Sequence, residues 1–84
     1  MSVVPEMPTV LLSEGFRFFF FSREGNEPPH VHVQKGDGVA KLWLSPVSLV
    51  YARGLTRPET RRIRELTTEH VQYFIERWNQ HLRR

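Results

Sequence analysis

His30 and His32 are the residues of this chain best suited to chemistry. In an extended strand, side chains two apart project from one face, about 6.5–7 Å apart along the chain. Two imidazoles held this way could act as an acid/base pair or grip a phosphate when protonated. They could also share a metal ion, but that needs at least a third ligand, and Glu27, Asp37, His70 and His81 are the candidates. The plainer alternative is a pair of histidines on the wet face of a half-exposed strand.

A phosphate chemistry needs cations, and the chain supplies them. Arg17, Lys35 and Lys41 lie on strand-like segments, and Arg53, Arg57, Arg61, Arg62 and Arg64 follow. The guanidinium fork matches paired phosphate or carboxylate oxygens. Read as a metal-independent ribonuclease, the chain would use His30 and His32 as acid and base. Arg17, Lys35 or Lys41 would then bind phosphate, with Arg57 and Arg61 as further phosphate or partner contacts. Trp43, close to Lys41, is the aromatic to consider for base stacking.

The net charge is +3 and the pI about 10.0. From Arg53 to the end there are eight arginines against four glutamates. Such a balance favours an acidic partner, either RNA or an acidic protein, and a solvated helix face is the bland alternative. No glycine loop has phosphate-binding spacing and no serine sits in a nucleophile elbow, so no cofactor is expected.

The elements that must position these residues follow from pattern. Thr9–Leu12 is β-prone and ends at Glu14-Gly15, a tight-turn pair. Phe16–Phe21 alternates as a strand, expected to be central, with Phe16, Phe18 and Phe20 on one face. Pro28-Pro29 gives a stiff, extended lead-in to His30–Gln34, with valines on one face and histidines on the other. Lys35-Gly36-Asp37-Gly38 signals a hairpin. Val39–Leu44 returns as a strand, Ser45-Pro46 breaks it, and Val47–Ala52 makes one more.

Thr56-Arg57-Pro58-Glu59 matches a capping box, and the apolar spacing from Ile63 to Leu82 predicts one long helix, weakest at Thr67-Thr68. His70 and His81 fall at the edge of its apolar stripe, as boundary residues. They would border the histidine strand only if the helix packed on the histidine face, and the valine face is the more natural one to bury. The expected class is therefore α+β: a small antiparallel sheet of four to five strands, one face covered by a long C-terminal helix.

At 84 residues, one domain over 1–84 is the ceiling, with residues 1–7 read as a disordered extension. There is no cysteine, so disulfides and thiolate metal sites are excluded. Extra support for so small a core would come from a partner protein, self-association as a homo-oligomer, or a His/carboxylate metal site. No apolar run approaches a membrane span and the N-terminus lacks a secretory pattern, which makes the cytoplasm the expected location.

Several stretches resemble a bacterial family, domain of unknown function 4160. They are Met7-Pro8-Thr9-Val10, the run from Gly15 to Phe20, Ser22 with Glu24, and Glu27-Pro28-Pro29-His30-Val31-His32-Val33. The resemblance continues through Lys35–Gly38, Ala40–Leu44, Pro46-Val47 and Trp78-Asn79. It covers nearly the whole chain after Met7, and the Glu27–Val33 block is its most specific part. It implies a small bacterial protein encoded beside another short protein, as in a toxin–antitoxin or other two-gene module. It implies no catalytic residues. The extra N-terminal residues and the arginine-rich helix depart from that pattern, whose helices are more acidic.

Overall fold

The computed structural model describes residues 9–21 and 26–82. The extension expected over 1–7 lies outside them, as do Ser22 and Glu24. Five strands form, β1 (Thr9–Ser13), β2 (Phe16–Phe19), β3 (His30–Lys35), β4 (Gly38–Leu44) and β5 (Val47–Arg53). Two helices follow, α1 (Arg57–Glu69) and α2 (Val71–Leu82). The sheet order is β1-β2-β3-β4-β5, antiparallel throughout. The α+β class therefore holds, with the phenylalanine strand second in the sheet and the histidine strand at its centre.

Short turns make this meander. Glu14 and Gly15 have φ of 55° and 83°, the two positive values of a two-residue hairpin turn, and Ser13 pairs with Phe16 across it. Arg62 of α1 holds the strained Glu14 through its carboxylate at 2.6 Å. Lys35 pairs with Gly38, and Leu44 with Val47 around a cis Ser45-Pro46 bond. The pairing shifts at Val10 in β1 and at Val50 in β5. Both edge strands are thus bulged, which blunts them as templates for further strand pairing.

Register then fixes the faces. Phe18 pairs with Val33, Val33 with Ala40, and Val31 with Leu42. This valine face packs against Ile63, Leu66, Phe74 and Trp78 in one core, as the alternation predicts. Phe18 stacks on Phe74 with ring centroids 5.3 Å apart, worth about 0.5–1.5 kcal/mol beyond burial.

The single long helix expected from the apolar spacing is two helices. Thr67 and Thr68 donate to the carbonyls of Ile63 and Arg64, so the helix absorbs their hydroxyls and continues. It ends at His70 (φ −110°, ψ 17°), whose backbone N–H and Nδ1 both donate to the Leu66 carbonyl. The capping box forms as expected. Thr56 Oγ1 accepts from the Glu59 amide at 3.1 Å, and Glu59 accepts from the Thr56 amide at 2.8 Å.

Glu59 also pairs with Lys35 at 3.1 Å, and its carboxyl is held below the ordinary 4.5, chiefly by the Thr56 backbone bond and then by Lys35. Glu14 is lowered likewise by its bond to Arg62. A depressed carboxylate stabilises the fold above its unfolded value and stops doing so as pH falls through the folded one. Stability is therefore expected to drop below about pH 4.5. Glu59→Gln keeps the reach-back bond but cannot titrate, so its urea midpoint should change less than the native one between about pH 7 and about pH 3. Equal losses for both proteins would show that Glu59 is uninvolved.

Candidate functional site

One face of the sheet is covered by helices; the other is built of the side chains that alternate with the core. Cross-strand pairing orders them in rows. Leu12, Arg17, Gln34, Val39 and Arg53 form one row, and Thr9, Phe19, His32, Lys41 and Tyr51 the next. His30, Trp43 and Ser48 form a third, and Phe21 lies over His32.

Aromatic rings and cations alternate across this layer. The Arg17 guanidinium sits 4.4 Å from the Phe19 centroid, Lys41 Nζ 4.8 Å from Trp43, and the Arg53 guanidinium 4.9 Å from Tyr51. Arg17 also donates to Thr9 Oγ1 at 2.8 Å and to Gln34 Oε1 at 3.3 Å. Lys41 is paired with Glu27 at 2.6 Å. Leu12, at 72% exposed, and Phe21, at 38%, are open apolar side chains of the layer.

The histidines lie inside this layer rather than upon it. His30 is 0% exposed and His32 5%, so the wet-face alternative fails for both. Neighbouring rings enclose both. Phe19 stacks on His32 at 5.6 Å and Phe21 meets it edge-on at 4.4 Å. His30 packs against Trp43 at 5.7 Å, against His32 at 5.2 Å and against Trp78 of α2 at 4.7 Å. Its Nδ1 carries a proton, donated to the Pro28 carbonyl at 2.9 Å, which fixes the ring. Glu27 comes within 3.9 Å of the same nitrogen.

The expected phosphate set divides. Arg17 and Lys41 share the face of the histidines. Lys35 does not: it lies beside Phe16 at the end of the valine face and pairs with Glu59. Arg57 and Arg61 are on α1, beside Ala52 and Leu55, away from the histidines. Of the third-ligand candidates, Glu27 alone approaches His30. His70 caps α1, and His81 Nε2 donates to the Phe21 carbonyl at 3.1 Å. Among the described residues no group of three or more histidine or acidic side chains converges to hold a metal. Tyr51 and Arg53 join the site through the β4–β5 register, which no local sequence signal gives. Phe19 and Phe21 were legible as same-face residues of their own strand, though not as neighbours of His32.

These features define a small α+β protein with helices on one sheet face and an aromatic–cationic layer on the other. The chain belongs to the family described as Domain of unknown function (DUF4160), whose model matches residues 15–79. Neither a curated protein nor a solved structure matches it. No helix among the described residues is long and apolar enough to cross a membrane.

Proposed function

We propose that the sheet face opposite the helices binds single-stranded RNA, and that the protein serves as the RNA-binding component of a two-gene, toxin–antitoxin-like module. The observation that carries this is the pairing of Arg17, Lys41 and Arg53 each with an aromatic ring on one face. Single strands are bound by cations that track the phosphates and by flat groups, aromatic or guanidinium, on which bases stack. On this face Trp43 and Tyr51 are half-exposed beside Lys41 and Arg53, while Phe19 is buried and the Arg17 guanidinium lies over its ring. Burial of His30 and His32 favours binding over cleavage, because a general acid or base must reach the scissile phosphate. The histidines then serve as the rigid floor of the face.

Titration of a labelled single-stranded RNA, followed by anisotropy at several salt concentrations, tests this. With Lys41 neutralised by Glu27, phosphate contacts by Arg17 and Arg53 predict a log–log salt slope of about −1.4, at about −0.7 per contact for single strands. Arg53→Gln should weaken binding and reduce the slope by about 0.7. The RNA should remain intact. Absence of binding at low salt, or an unchanged slope in the variant, would remove the open face as the site. An equal-length DNA strand shows whether the ribose hydroxyl matters.

A further inference from the structure

Helix α1 segregates its charges onto two flanks. Arg62 is held on one flank by Glu14, Glu65 and Glu69, at 2.6, 3.1 and 3.1 Å. Arg57, Arg61 and Arg64 stand at i, i+4 and i+7, in one stripe on the other. Among the described residues no carboxylate lies within ion-pair distance of these three. Seven residues of helix separate the first from the last by about 10 Å.

Between this stripe and β5 is a groove of about 330 Å³, lined by Ala52, Leu55, Arg57, Thr60, Arg61 and Arg64. Ala52 and Leu55 are half-buried, whereas the arginines are exposed, so the groove has an apolar floor and a cationic rim. Ala52 belongs to the valine side of the sheet, so the groove is separate from the open face. A phosphodiester chain would satisfy the rim but leave the floor uncovered. An acidic peptide with an apolar residue would satisfy both, since burying the floor adds to charge pairing.

We infer that this groove docks an acidic segment of a partner protein. An apolar side chain sits on Ala52 and Leu55, and carboxylates spaced over about two helical turns meet Arg57, Arg61 and Arg64. The site is independent of the RNA-binding face and survives or fails without it.

The probe is a fluorescein-labelled synthetic peptide with one leucine flanked on both sides by glutamates, titrated against the full chain. The same peptide with alanine for leucine should bind about tenfold more weakly. The triple variant Arg57→Gln, Arg61→Gln, Arg64→Gln should lose about two- to fivefold per arginine. Its circular dichroism should match the native protein, because all three side chains are exposed. Arg53→Gln should leave peptide binding unchanged, and the triple variant should leave RNA binding to the open face unchanged. Equal binding of the two peptides, undiminished binding by the triple variant, or displacement of the peptide by RNA would each overturn the inference.

Discussion

His30→Ala is expected to lower the stability of this protein by about 2–4 kcal/mol, the range of large-to-small substitutions in a packed core. The imidazole contacts two tryptophans and His32, so its removal leaves a void that three rings cannot close together. It also removes the donor to the Pro28 carbonyl, which fixes the lead-in to β3. For a domain of this size such a loss corresponds to a fall of about 10–25 °C in Tm. Thermal and urea unfolding of the variant measure it directly. A catalytic histidine on an open surface would behave otherwise, with little change in Tm. An unchanged Tm would therefore reverse the assignment of His30 as a structural residue and return it to the chemistry suggested by its spacing.

Gly38→Ala is expected to cost about 1–3 kcal/mol, as forced overpacking does. A Cβ at this position would stand 2.6 Å from the Gly54 carbonyl oxygen and 2.6 Å from Leu55 Cδ2. The side chain of Leu55 can turn aside, but the carbonyl belongs to backbone. Gly54 itself has φ of 69°, in the left-handed region, which leaves that backbone little room to relax. The contact joins the start of β4 to the link between β5 and α1. Displacing Leu55 would also disturb the floor of the arginine groove, so peptide binding should weaken together with stability. A urea midpoint equal to that of the native chain would show that the close approach is relieved at no cost.

The two substitutions differ in how far the sequence foretells them. Gly38 is legible as a turn residue, yet its crowding by Gly54 comes from a segment sixteen positions away. His30 is legible as a same-face partner of His32, yet its enclosure depends on strands and a helix that its own segment does not specify. The cation set behaves alike. Arg17 and Lys41 follow the alternation of their strands and reach the histidine face, whereas Lys35 has the parity of the valines and turns to Glu59. Arg57, Arg61 and Arg62 are close in sequence. Their 100° spacing nevertheless sends Arg62 to Glu14 and leaves the other two on the groove.

The histidine strand gives the general lesson. Sequence alone determined the strands, the Glu14-Gly15 turn, the capping box and the sorting of valines from histidines. These are local properties, set by backbone dihedrals and by a side-chain period of two. The family resemblance, too, was carried by local stretches between Met7 and Asn79, the Glu27–Val33 block among them. Tertiary structure alone decided that β3 is the central strand, that Phe19 and Lys41 flank His32, and that Trp78 closes over His30. Period fixes the face of a side chain within its strand. Register and helix docking fix its neighbours, and it is the neighbours that turned two apparently wet histidines into the buried floor of a cationic, aromatic face.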